Sequence, residues 1–163
     1  MSNLCIGNLK IRGTVANIMR FLNCGIYGYQ FRLIDNRELL VTERKVEPYM
    51  IDLPEGFRFF VQQGNILKTT IYLEPKNIFT EILESKEDNQ VIVLMKLECS
   101  WQFPTSNFRN LSEDYQIDFA FYGFEKGDCF NQDVEIIKGL VIKDNSITFK
   151  DYNWECISPT LGG

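Results

Sequence analysis

The chain contains no histidine. That absence removes serine or cysteine nucleophiles paired with imidazole, histidine-ligated zinc and the two-histidine iron sites. Cysteine is present but badly placed for a framework. Cys5, Cys24, Cys99, Cys129 and Cys156 are odd in number, and no two lie closer than 19 positions. Zinc motifs bring cysteines in pairs two to four residues apart, so these five are read as buried free thiols, packing as small hydrophobes. Long hydrophobic runs are missing as well. The longest, Val91 to Leu97, is interrupted by Lys96 and falls far short of the ~20 apolar residues needed to span a bilayer. Asn3, Asn8, Lys10 and Arg12 break up the opening segment, so it lacks the apolar core of a secretory signal, and a cytoplasmic location in a host cell is expected. The 11 glycines are scattered, with neither GxxxxGK[ST] nor GxGxxG, and no cofactor is expected.

What remains describes a folded protein. With 163 residues, 45% of them hydrophobic and 13% aromatic, the chain fits one domain with one core, expected over 1–157, and a loose tail over 158–163. Charge is uneven. Residues 1–80 hold 10 Lys/Arg against 7 Asp/Glu, a net +3, whereas residues 81–163 hold 7 against 15, a net −8.

Hydrophobic spacing predicts the elements. Leu4 to Arg12 reads as a central strand ended by Gly13. Thr14 then caps a helix with Val15, Ile18, Met19 and Leu22 on one face, closed near Cys24-Gly25 by a left-handed glycine. Tyr29–Ile34 and Glu38–Thr42 form a hairpin around Asp35-Asn36-Arg37. Lys45 to Gly56, with Pro48 and Pro54, reads as a connection. Phe57–Val61 and Leu67–Leu73 form a second hairpin around Gln63-Gly64-Asn65, and Ile78, Phe79, Ile82 and Leu83 fit a short helix. Val91–Cys99 is a strand, and Pro104 opens a helix carrying Phe108 and Leu111. Tyr115 to Phe124 alternates as a half-buried strand, and the arms 129–138, 140–143 and 146–149 turn at Lys138-Gly139 and Asp144-Asn145. The order predicts an α+β domain: a mainly antiparallel sheet with two or three helices on one face.

Two patches carry a family likeness. Asn3, Cys5, Asn8, Leu9 and Gly13, with Leu4 where tryptophan is usual, and Trp101, Pro104, Leu111, Ser112, Tyr115, Glu125 and Gly127 resemble the YubB-type ferredoxin-like family of plasmid- and phage-encoded small proteins. The resemblance implies a ferredoxin-like core and a mobile-element origin, and brings no catalytic residues with it.

No residue pattern specifies a reaction. The aromatic residues Phe31, Phe59, Phe60, Phe119, Phe121, Tyr122 and Phe124 are compatible with base stacking. They are assigned to the core, because the late strands are surrounded by acids and phosphate binding requires Lys or Arg; direct nucleic-acid binding is disfavoured. The sharper feature is acidic. Glu113, Asp114, Asp118, Glu125, Asp128, Asp133 and Glu135 stand against Lys126 alone, a net −6 over 113–135. Such carboxylates can imitate nucleic-acid phosphates and dock in a basic groove, with Trp101, Tyr115 and Tyr122 as rim anchors. The expected function is therefore a non-catalytic phage inhibitor of a host nucleic-acid-processing defence protein such as a CRISPR nuclease. Two alternatives stand beside it: a divalent-metal module or enzyme built on Glu125, Asp128, Asp133 and Glu135, and an oligomerising accessory protein.

Overall fold

A computed structural model describes the backbone of residues 4–28, 30–34, 37–42, 49–53, 56–60, 64–66, 71–73, 81–84 and 89–157, and the side chains of residues 4–26 and 89–157. In chain order the elements are β1 (Leu4–Gly13), α1 (Val15–Cys24), β2 (Ile26–Gly28), β3 (Gln30–Ile34), β4 (Arg37–Thr42), β5 (Tyr49–Leu53), β6 (Gly56–Phe60), β7 (Gly64–Ile66), β8 (Ile71–Leu73) and β9 (Glu81–Glu84). They continue with β10 (Val91–Ser100), α2 (Thr105–Tyr115), β11 (Asp118–Glu125), β12 (Phe130–Ile137), β13 (Leu140–Thr148) and α3 (Tyr152–Glu155). The protein is α+β and mostly sheet. Nine strands form one sheet in the order β13-β12-β11-β1-β10-β8-β7-β2, with β9 also paired to β10, while β3–β4 and β5–β6 are separate two-stranded sheets.

All pairings among the described residues are antiparallel, so β10 and β11, which flank β1, run parallel to each other, joined by the α2 crossover. With β8 on the far side of β10, the order β11-β1-β10-β8 is consistent with a ferredoxin-like core.

β1 shows why the sheet has one covered face. Cys5, Gly7, Leu9, Ile11 and Gly13 are buried, while Leu4, Ile6, Asn8 and Lys10 are exposed and Arg12 is half-buried. Strand periodicity of two turns that sequence alternation into two surfaces. The buried rungs continue sideways through Val93, Met95, Leu97 and Cys99 and through Phe119 and Phe121. Ile18, Phe21 and Leu22 of α1 and Phe108 and Leu111 of α2 close this face. Phe119 meets Phe21 and Phe108 edge-on at 5.6 and 4.9 Å, and Phe121 stacks on Phe103 at 4.3 Å. Gly7 and Gly123 are paired under the Phe121 ring; a Cβ on Gly7 would lie 2.6 Å from Gly123 Cα.

Several expectations are met. Thr14 caps α1, its Oγ1 accepting from Asn17 N at 3.3 Å, and β3 pairs with β4. The Lys138-Gly139 turn has both residues at positive φ.

Others are corrected. Gly25 ends α1 in a right-handed conformation, φ −95°. The expected connection over 45–56 contains β5, which pairs with β6; among the described residues β6 has no pairing with β8, the described part of the second arm of the hairpin expected between 57–61 and 67–73. Gly64 and Asn65, expected in its turn, lie in β7. Residues 81–84, expected in a helix, are β9 on β10; residues 78–80 and the Asp35-Asn36 turn lie outside the described residues. Tyr115 is the last residue of α2 rather than the first of a strand, and Gln116 in the left-handed region reverses the chain. Asp144-Asn145 lies within one continuous β13. Cys5 and Cys99 are buried thiols, but Cys24 is exposed and Cys129 and Cys156 are half-buried.

Candidate functional site: the open face of the sheet

The face turned away from α1 and α2 can be written out from the strand registers. One rung runs Glu98, Ile6, Phe124, Asn131, Ile147; the next runs Lys96, Asn8, Tyr122, Asp133, Asn145. The third runs Leu94, Lys10, Ala120, Glu135, Lys143, and the fourth begins Ile92, Arg12, Asp118. Ala120 has the smallest side chain in the middle of this grid. A cleft of about 420 Å³ opens above it, lined by Asn8, Lys10, Tyr122, Asp133, Glu135 and Lys143, and a second of about 180 Å³ continues it toward Arg12 and Asp118.

Charge on this face is balanced and segregated. Cations stand mainly on β1 and β10 (Lys10, Arg12 and Lys96), and Asp133 and Glu135 stand on β12 beside Lys143. Lys143 Nζ reaches Asp133 Oδ2 at 3.0 Å; that hydrogen bond raises the lysine's affinity for its proton, desolvation opposes it, and the Asp133 and Glu135 charges add to the rise.

At the neighbouring rung Asn131, 2% exposed, organises three side chains. Its Nδ2 donates to Tyr122 Oη at 3.3 Å and lies 3.3 Å from Cys156 Sγ; its Oδ1 accepts from Tyr152 Oη at 2.8 Å. Burial first, and the Cys156 contact second, push the Tyr152 hydroxyl well above the usual phenol range.

The seven acids expected to act together are not brought together. Glu113 and Asp114 are exposed at the end of α2, with Glu113 beside the Lys138-Gly139 turn; Asp128 is exposed in the β11–β12 turn at the opposite end of the sheet. The eight residues of β12 between those ends span about 26 Å. Two of the seven are buried. Asp118 is buried, accepting from Arg12 Nε and Nη2 at 2.9 and 2.7 Å and from Lys138 N at 3.2 Å. Glu125, 1% exposed, accepts from the backbone N–H groups of Gly127 and Asp128 and so holds the turn. Both are corrected from partner-contact to structural positions, because they are buried and accept hydrogen bonds inside the fold.

The four-carboxylate metal grouping is likewise separated, and no cluster of three or more potential ligands occurs among the described residues. Tyr115, half-buried, packs edge-on to Phe21 at 5.4 Å under the Arg20 guanidinium, and Trp101 is exposed at the β10–α2 corner; neither lines the cleft. Phe119 and Phe121 are core residues as expected, but Tyr122 and Phe124 are on the open face; the side chains of Phe31, Phe59 and Phe60 lie outside the described residues.

The cleft thus unites Tyr122, Asp133 and Glu135 from the expected set. Lys10, Asn8, Lys143 and Asn131 were not singled out, although Lys10 and Asn8 stand at alternate positions of the first strand, which is the signal that puts them on one face. Trp154, 87% exposed in α3, was also missed. Among the described residues no helix is long and apolar enough to cross a membrane. Comparison with family models, curated proteins and solved structures finds no match.

Proposed function

We propose that this is a non-catalytic binding protein of a mobile element that blocks a host nucleic-acid-processing protein, such as a defence nuclease, by occupying its basic groove. The observation that carries the reading is the solvent-facing charge of the outer strands. Asp128, Asp133, Glu135, Asp144, Asp151 and Glu155 all reach solvent between the β11–β12 turn and α3, against Lys126, Lys138, Lys143 and Lys150. They replace the buried Asp118 and Glu125 as the contact set. Trp154 stands among them as the aromatic anchor such interfaces use. The resemblance of the Asn3–Gly13 and Trp101–Gly127 patches to phage and plasmid proteins supplies the biological setting.

Capture from host lysate by the intact protein at low and high salt tests this directly. A cationic partner is retained at low salt and released at high salt. The triple charge reversal Asp128→Lys, Asp144→Lys, Glu155→Lys abolishes that capture; unaltered capture removes the mechanism.

The accessory, oligomer-forming alternative has one observation of its own. β13 is an edge strand whose Leu140, Val141 and Ile142 are exposed, the kind of edge that recruits another strand. Its register shift opposite Glu135/Ile136 and the nearby Lys143 are devices that blunt such edges. Light scattering decides between a monomer and a stable oligomer.

A further inference from the structure

The cleft over Ala120 has chemistry that docking to a cationic groove leaves unused. Its walls are opposite in sign. Lys10 stands on β1 and Glu135 on β12, two strand spacings, about 9.6 Å, apart. Among the described residues neither has a hydrogen bond or ion pair, whereas the Asp133 carboxylate is held by Lys143. The end wall is Tyr122, whose hydroxyl is tied to the buried Asn131 and whose ring edge meets Phe124 at 5.2 Å, so the ring is held in place without a ligand.

A simple cation would be repelled by Lys10 and a simple anion by Glu135 and Asp133, while an apolar molecule would strip water from both without replacing it. The walls call for one molecule with three parts: a planar ring to lie on Tyr122, adjacent N–H donors for a free carboxylate, and an anionic group for the ammonium on the other side. A guanine base presents N1–H and its exocyclic amine side by side, matching the two oxygens of a carboxylate, and its O6 accepts from an ammonium such as Lys143. Adenine instead presents one amine beside a ring-nitrogen acceptor that a carboxylate repels.

We propose that this cleft binds a guanine nucleotide, with the base against Tyr122 and paired to Glu135 and the phosphate against Lys10. Aromatic stacking is insensitive to base identity, so selectivity resides in Glu135 and Lys143 and phosphate affinity in Lys10. The cleft needs no glycine-rich loop, because a single phosphate is met by a side-chain ammonium. This inference does not rest on the partner reading, and either stands without the other.

Calorimetric titration of the intact protein with GMP, IMP, AMP and guanosine at low salt is the test. Saturable GMP binding is expected, weakened about tenfold or more for IMP, which lacks the exocyclic amine, and lost for AMP. Glu135→Gln should erase the preference for GMP over IMP. Lys10→Ala should weaken GMP while leaving guanosine unchanged, and Tyr122→Phe should retain binding that Tyr122→Ala loses. Circular-dichroism melting of each variant checks that the fold persists. Failure of GMP to saturate at millimolar concentration, or equal binding of GMP and AMP, overturns the proposal.

Discussion

The two faces of this sheet are made by the same strands and do opposite things. Along β11, Phe119 and Phe121 are sealed beneath α1 and α2, while the intervening Ala120 and Tyr122 look onto the open cleft. On the covered face stability resides in shape: aromatic rings interlock, and two glycines make room for one of them. On the open face the internal ties gather at the Arg12–Asp118 pair, the Asp133–Lys143 pair and the Asn131 network, which leaves Lys10 and Glu135 between them for recognition. If that division is right, substitutions one residue apart on a strand should separate into those that change stability and those that change binding.

The largest effect belongs to the covered face. Phe121→Ala removes a ring stacked on Phe103 and lying over Gly7 and Gly123, and should cost about 3–5 kcal/mol, read as a lowered denaturant midpoint at unchanged slope. Lys10→Ala on the neighbouring strand should leave the midpoint nearly fixed. Equal effects would erase the comparison.

Gly7→Ala should come next, at about 1–3 kcal/mol, because its new methyl group would meet backbone at Gly123 as well as the Phe121 ring. Asp118→Asn belongs in the same range, about 1–3 kcal/mol, since it discharges the partner of Arg12. That second result also separates the structural acids from the exposed ones. Had Asp118 been a contact residue, its loss would spare the midpoint.

How far the sequence displayed this division depends on which residues are asked. Alternation in β1 and β11 and helical spacing in α1 made the covered face readable, because burial imposes a period that survives in the sequence. Between 45 and 84 the reading failed for a physical reason. β7 takes one of its partners, β2, from far back in the chain, and local pattern holds no record of a distant partner. β9 pairs the strand that follows it, and its adjacent Ile82 and Leu83 fit helical spacing as well as a short buried strand. The acids failed differently. A count of carboxylates along the chain cannot tell Glu125, consumed by the N–H groups of its own turn, from Glu135, which faces the cleft. Only register separates them, by placing Glu125 opposite Cys5 and Glu135 opposite Ala120.

A smaller effect sharpens the same contrast through pH. Burial, and to a lesser degree the Glu125 charge, push the Cys5 thiol up to about 12 from an ordinary 9.0. Burial, with Cys5 and Glu98 nearby, raises its cross-strand neighbour Cys99 as well. The folded protein therefore keeps these protons where the unfolded chain has lost them. The associated stability is complete below pH 9 and declines as pH rises toward 12. By pH 10 each thiol should cost about 1.4 kcal/mol. Denaturant midpoints at pH 8 and pH 10 measure the loss, and Cys5→Ala should reduce its size; an equal pH dependence in the variant would deny the covered face this role.

The smallest expected change is on the open face. Glu135→Gln alters a half-exposed side chain that accepts no hydrogen bond among the described residues, so stability should move by no more than about 0.5 kcal/mol. Near-neutrality in folding is the informative outcome only beside a second measurement. A residue that merely keeps the surface soluble can be exchanged without loss in either assay, whereas a recognition residue is silent in melting and audible in binding. Glu135→Gln should therefore leave the melting curve in place while removing discrimination between GMP and IMP. If it shifts the melting curve as much as Gly7→Ala does, Glu135 is holding the sheet together, and the open face is not free for a ligand in the way its registers indicate.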